Sequence, residues 1–383
     1  MQKEVKDQIV ATIYGQCVGD ALGLLTEFMT KIDAKKYYGR RPKDLKYSQK
    51  VPDFHRSRWQ EGDWTDDSDH MIVIMQSILN NKGQILVTDF ALRIKRWMEQ
   101  GFPELGDYGG MGIGKTTSTV LKHHNFTTDP HKVSYECWDN SQRNIAPNGA
   151  VMRTSVLGIH HFDDLEAVVS NTLDICKTTH ADPRCQASCV AVSVCISLML
   201  QHTAKQSPDQ KSQLDVESLV TKSYEQACRV LGTEEEKKEL FFYMNCSKLK
   251  KLQLTEPGKI GYTYKCLGAG FWALRQKDFK KAMIKLIMEG GDADTNAAVA
   301  GAMLGCALGR SAIPDLWITG LKHREWLSGY IDRFLKLQEE MKLPVQQRSC
   351  YEDLDMNLLT ESDARLKEER AIAFKFKAAQ KRN

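Results

Sequence analysis

The chain is 383 residues long, which allows one large domain or two to three smaller ones with well-buried cores. A formal charge of +4 is slight for that length and argues against nucleic acid or a membrane surface as the main partner. The eleven cysteines are scattered and odd in number, and no charged-then-apolar leader precedes them, so they read as reduced thiols of an intracellular protein, cytoplasmic with the nucleus left open, not as a disulfide framework.

From the N-terminus, residues 5–25 read as a helix carrying Gly15, Gly19 and Gly23 four apart on one face. Each glycine costs about 1 kcal/mol against alanine inside a helix, so something is expected to approach that face closely. Glu27 follows, a carboxylate carried at the helix end. Next comes Gly62-Asp63-Trp64-Thr65-Asp66-Asp67-Ser68-Asp69, running straight into the apolar Met71-Ile72-Val73-Ile74-Met75. One helix cap needs one side chain, whereas four acids in seven residues repel one another unless a cation or a proton separates them. Helical periodicity marks residues 90–98, 165–176, 216–231, 279–288 and 326–341, and alternating β patterns are nearly absent. The expected class is all-α, a single compact multi-helix orthogonal bundle with a metal site at its helix ends.

Gly109-Gly110-Met111-Gly112-Ile113-Gly114-Lys115-Thr116 matches the phosphate-loop pattern letter for letter. The segment before it, Phe102-Pro103-Glu104-Leu105-Gly106-Asp107-Tyr108, cannot be a buried parallel strand, which argues against a nucleotide triphosphatase. Its glycine N–H groups, entering a helix over residues 116–121, can still cradle a phosphate or diphosphate. Asn148-Gly149 makes a turn into a helix, followed by the buried-looking pair Met152 and Arg153. His180 precedes the apolar helix that begins near Cys185, where a structural role and a functional one both stay open. The longest apolar run, residues 187–200, falls short of the roughly 20 residues a bilayer needs and reads as a core helix. Polar stretches at 107–114, 202–213 and 245–261 read as loops. No linker marks a boundary before the chain turns charged, so residues 1–342 are expected to form one domain and 343–383 a Lys/Arg-rich helical tail.

The densest chemistry lies in Gly290-Gly291-Asp292-Ala293-Asp294-Thr295-Asn296, at the mouth of an apolar helix with its own stripe, Gly301, Gly305 and Gly309. Capping of the helix by Asp294 or Thr295 is the simpler reading. An EF-hand fails, because Ala297 and Met303 stand where that loop needs glycine and a bidentate glutamate. Two acidic clusters together suggest one shared site for two Mg²⁺-like ions. Zn²⁺ is disfavoured, since neither cluster holds a cysteine and the nearby His70 has no partner at ligand spacing.

In order along the chain, Gly19-Asp20-Ala21-Leu22-Gly23 with Glu27, Thr65-Asp66-Asp67-Ser68, Asn148-Gly149-Ala150 with Met152-Arg153, Thr179-His180, and Gly290 to Asn296 resemble the motifs of the ADP-ribosylglycohydrolase family over residues 8–310. The resemblance implies an all-α hydrolase with a binuclear Mg²⁺ (or Mn²⁺) centre that cleaves ADP-ribose from an acceptor. Its substrate would be an ADP-ribosylated protein or an ADP-ribose-containing small molecule, arginine preferred, with serine and poly-ADP-ribose as alternatives. A silent, crystallin-like binding protein is the rival of another class. Carried over, Thr65, Asp66 and Asp67 look like ligands of one metal. Asp292, Asp294 and Thr295 look like ligands of the other, with Asp294 bridging. Glu27 matches a mobile acidic residue near the second metal that positions or deprotonates water, so Glu27, Asp66 and Asp294 are the expected catalytic set. Gly112, Ile113, Gly114, Lys115, Thr116 and Thr117 match the diphosphate-side loop, and Asn148, Gly149, Met152 and His180 are expected at the substrate. Ser68 and Ala293 depart from the usual threonines or serines, at positions that are not ligands.

Overall fold

In the computed structural model, which describes residues 1–207 and 212–349, sixteen α-helices and six short 3₁₀ turns follow one another, and no β-strand forms among the described residues. The five periodic segments appear as Val87–Gln100, Leu165–Lys177, Val216–Cys228, Phe279–Ile287 and Arg324–Glu340. Several starts have a clear cause: Asp164, Asp215 and Asp278 each accept a hydrogen bond from the backbone N–H three residues on. Such helices bury one face and leave the other to solvent.

Three helices behave differently and form the centre. The second half of Lys3–Gly23, and nearly all of Pro183–Ala204 and Ala293–Leu308, are buried all round. By length and composition Pro183–Ala204 could cross a membrane, yet residues 187–197 are enclosed by the rest of the fold, as a core helix requires. Lys3–Gly23 and Ala293–Leu308 lie backbone to backbone. A Cβ on Gly15 would overlap the carbonyl of Gly301, one on Gly19 that of Ala297, one on Gly23 that of Ala293, and one on Gly305 that of Ala11. The order of these pairs makes the helices antiparallel, and it explains both glycine stripes. Gly309 is the exception: it sits past the helix end as the C-cap, at positive φ, and ends the helix instead of lining the contact.

That contact carries the end of one helix to the start of the other. Gly290 and Gly291, at φ 76° and 74°, turn the incoming chain onto residues 28–29. Phe28 N–H donates to the Gly291 carbonyl at 2.6 Å, and Gly291 N–H to that of Met29 at 2.9 Å. This clasp sets Glu27 beside Asp292 and Asp294.

Smaller differences from the expected pattern have local causes. Val151–Leu157 is a 3₁₀ helix, and the 245–261 loop contains one helical turn, Leu249–Leu252. Residues 202–204 still belong to Pro183–Ala204. Among the described residues ten cysteines are free, eight of them buried. Most of the expected tail, residues 350–383, lies outside the described residues.

Gly301→Ala should destabilise the protein by about 1–3 kcal/mol, because its methyl meets backbone that cannot swing away. Gly329→Ala, in Arg324–Glu340, meets only the far end of Arg333 and should stabilise by up to about 1 kcal/mol. Denaturant unfolding compares the two; an unshifted midpoint for Gly301→Ala would refute the backbone contact.

Candidate metal centre

Helix Asp66–Asn80 begins at Thr65 and places Asp66 and Asp67 in its first turn, where the helix dipole favours negative charge. Asp20 reaches this turn from the buried face of Lys3–Gly23. It accepts from Thr65 N–H (3.1 Å) and Oγ (2.9 Å) and from Ser68 N–H (3.0 Å) and Oγ (2.6 Å). One carboxylate on the glycine-striped helix therefore anchors the acid-bearing one. Gln16, a turn earlier, donates to the carbonyls of Asp67 (3.2 Å) and Met152 (2.9 Å) and accepts from the Ser155 hydroxyl.

The second cluster arrives on Ala293–Leu308. Thr295 Oγ lies 3.1 Å from Asp67 Oδ1 and 3.3 Å from Asp292 Oδ1, joining positions 228 apart in sequence. Asp292 Oδ2 accepts from Asn148 Nδ2 at 2.8 Å, and Asp294 Oδ1 from Thr295 N–H at 2.9 Å. Two triads result, Asp20–Asp67–Asp294 and Glu27–Asp292–Asp294, each with ligand oxygens within 4.8 Å of one another. Asp294 belongs to both.

Electrostatics shows what this arrangement lacks. Burial first, then neighbouring carboxylates, push Asp66, Asp67 and Asp294 well above the usual carboxylate range. Burial lifts Asp20 to about 7 against the pull of its bonds to Ser68 and Thr65. Among the described residues no lysine or arginine pairs with any of these acids. Asp67 Oδ2 is buried with no hydrogen-bond partner. Buried, mutually repelling carboxylates with an orphaned oxygen fit a divalent cation, and an all-oxygen donor set fits a hard one. The clusters can therefore bind metal.

Other acids of the first cluster go elsewhere. Asp69 accepts the indole N–H groups of Trp64 (2.8 Å) and Trp97 (2.9 Å), while Asp63 pairs with Lys322 (3.1 Å) and His323. His70 packs on the Trp97 ring at 4.3 Å and belongs to neither triad. Asp66 lies outside both triads too, under the glycine loop. Gly112, at φ 93°, comes so near that a Cβ there would overlap Asp66 Oδ1.

Beside the centre a cavity of about 150 Å³ is lined by Lys115, Thr116, Trp138, Thr179 and His180 among others. Gly149 faces the His180 ring and Thr117 Oγ. Thr179 Oγ accepts from Arg153 (2.8 Å) and lies 2.7 Å from His180 Nδ1. Burial and Arg153 push the His180 pKa down to about 3. The ring is a neutral imidazole whose buried Nε2 has no hydrogen-bond partner. Lys115, Thr116, Thr117, Gly149 and His180 are thus brought together. Ile113 packs on the core and Gly114 caps helix Lys115–Leu121, whereas Met152 is buried and does not line the cavity.

Two residues at the centre escaped the sequence reading of the site. Asp20 stood in plain view between Gly19 and Gly23, and its signal was an acid inside an otherwise apolar stretch of helix. His55, 2.5 Å from Glu27, sits in an irregular segment with no periodicity to flag it.

A family model described as ADP-ribosylglycohydrolase matches residues 1–344. The chain is 23% identical over 341 residues to an ADP-ribosylarginine hydrolase of Serratia proteamaculans, covering 88% of this chain and 82% of that protein. It is 26% identical over 320 residues to the ADP-ribosyl-(dinitrogen reductase) glycohydrolase of Rhodospirillum rubrum, covering 83% and 91%. A solved structure described as an ADP-ribosylglycohydrolase-related protein complex shares the fold, with a TM-score of 0.63 at 23% identity over 88% of this chain and 100% of that one.

Because a cation binds only the folded chain, saturating Mg²⁺ or Mn²⁺ should raise the melting temperature, with about 2.7 kcal/mol of stabilisation at a hundredfold excess over Kd. Asp67→Asn and Asp294→Asn should lose most of that rise. A shift in the variants equal to the wild type's would place the ion elsewhere.

Proposed function

The chain belongs to the ADP-ribosylglycohydrolase family and is an enzyme of that class, and from this premise we propose that it is a metal-dependent hydrolase freeing ADP-ribose from a modified protein, with ADP-ribosyl-arginine the preferred substrate. One observation carries the reading: two carboxylate triads that share Asp294 beside a cavity able to take part of a nucleotide. The arginine preference is supported by the name of the Serratia relative. The match over residues 1–344 supports residues 1–342 as the catalytic unit, with 343–383 appended.

Asp20, Asp67 and Asp294 would hold one ion, and Glu27, Asp292 and Asp294 the other. Asp66, Thr65 and Thr295 would complete their oxygen shells. Mg²⁺ or Mn²⁺ suits such donors and, when bound, orients ribose hydroxyls and lowers the pKa of a water. Glu27 positions the attacking water and accepts its proton while the glycosidic bond breaks with oxocarbenium character. The substrate guanidinium, already positively charged, leaves as neutral guanidine and takes up the proton that Glu27 received from the water, so no guanidine anion forms. His180, through its unpartnered Nε2, bonds the diphosphate or ribose side, next to residues Gly112 to Thr117. Asn148 fixes the Asp292 carboxylate through its 2.8 Å bond, and burial keeps bulk water from the reacting carbon.

Incubation with arginine-, serine- and poly-ADP-ribosylated substrates, with and without chelator, tests this directly. Free ADP-ribose from the arginine substrate alone, abolished by chelator, is expected. Release from serine or the polymer would correct the acceptor, and no turnover on any of them would favour a silent binding protein. Glu27→Gln should lower kcat by about 10²–10⁴-fold while ADP-ribose binding stays within a few-fold. A binding loss as large as the rate loss would remove Glu27 from the chemical step.

A further inference from the structure

Glu27 points into a ring of like charges. Asp292 and Asp294 share its triad, and it is among the charges that raise Asp66. Arg56 does not hold the Glu27 carboxylate, because its guanidinium is spent on the backbone carbonyls of Leu25 (3.0 Å) and Glu27 and on the carboxylate of Asp53. Among the described residues the one side chain hydrogen-bonded to the Glu27 carboxylate is His55, with Nε2 2.5 Å from Oε2.

The geometry fixes the direction of that bond. Arg58 Nη2 lies 2.9 Å from His55 Nδ1, and a guanidinium has only protons to give, so Nδ1 accepts. The imidazole proton is then on Nε2 and is donated to Glu27, leaving Oε1 free of hydrogen bonds. The ring itself is wedged between Phe28, with centroids 4.7 Å apart, and the edge of Trp59 at 5.1 Å, and Arg58 covers the Trp59 face at 4.5 Å. Phe28 holds φ at 59°, rare for a bulky residue, and its N–H is pinned to the Gly291 carbonyl. Residues 53–59 therefore act as a bracket: Arg56 ties it to the end of Lys3–Gly23, and His55 projects from it onto one carboxylate oxygen.

We propose that His55, oriented by Arg58, is the positioning residue of this enzyme, donating through Nε2–H to hold Glu27 over the carboxylate centre with its second oxygen free for water. The inference rests on the hydrolase reading above and assigns to that site a residue from outside the acidic motifs. It acts through Glu27 and touches neither substrate nor the reacting carbon.

His55→Ala should lower kcat about 10- to 100-fold with KM, ADP-ribose affinity and melting temperature unchanged. His55→Gln, whose amide can donate to the same oxygen, should recover most of the rate. Side-chain nitrogen shifts in the wild-type protein should report the Nε2–H tautomer, a readout independent of turnover, and Arg58→Ala should shift that signature and slow kcat. A His55→Ala rate within about twofold of wild type overturns the proposal. So does a His55→Gln rate no better than that of His55→Ala, or an Nδ1–H tautomer. If the wild type releases no ADP-ribose from any substrate, the hydrolase reading falls and takes this inference with it; an active wild type indifferent to His55 overturns the inference alone.

Discussion

The contact between Lys3–Gly23 and Ala293–Leu308 is the constraint on which the site depends. Two antiparallel helices approach until carbonyl oxygens of one fill the places where side chains of the other would begin. Only glycine and alanine permit this. The chemical consequence is positional: Asp20 on the first helix and Asp294 on the second come within reach of one ion, and Glu27 lies across from Asp292. A thicker contact would separate the triads, leaving two ordinary acidic helix ends.

Gathering carboxylates without counter-charge opposes folding, and the surroundings show how it is sustained. Asp20 receives four hydrogen bonds, and Asp69 is bracketed by two indoles. Gln16 ties three segments together from beneath. Those bonds stabilise the frame, while Asp67 keeps a buried Oδ2 with no hydrogen-bond partner. A stable frame around a destabilised cluster is what a binding site for cations requires. The bracket over residues 53–59 extends the same division of labour to Glu27, since His55, in ring contact with Phe28 and Trp59, hydrogen-bonds its carboxylate.

Much of this was legible in the amino-acid sequence. Acids crowded at helix starts pointed to Asp67, Asp292 and Asp294, which meet in the triads, and to Asp66, which lies outside them; glycines four residues apart pointed to the helix contact. The failures are equally physical. Asp69 was grouped with the site acids because sequence proximity cannot reveal that Trp97, 28 positions on, would claim it. Gly309 continued the stripe by spacing but fell beyond the helix end. Asp20 carried no neighbouring acid to draw attention to it, and its role depends on Thr65 and Ser68, more than 40 positions away. His55 depends on an irregular segment whose path no periodic pattern encodes. Residues held by regular elements could be placed in advance, whereas those held by long-range hydrogen bonds could not.

The central claim is that acids from both ends of the chain form one cage for a pair of divalent ions, and Mn²⁺ reports on this most directly. Titration of the metal-free protein, followed by electron paramagnetic resonance, should show Mn²⁺ ions bound as a spin-coupled pair, with the coupling lost in Asp294→Asn. Isolated, uncoupled Mn²⁺ that is indifferent to Asp294 would contradict the account.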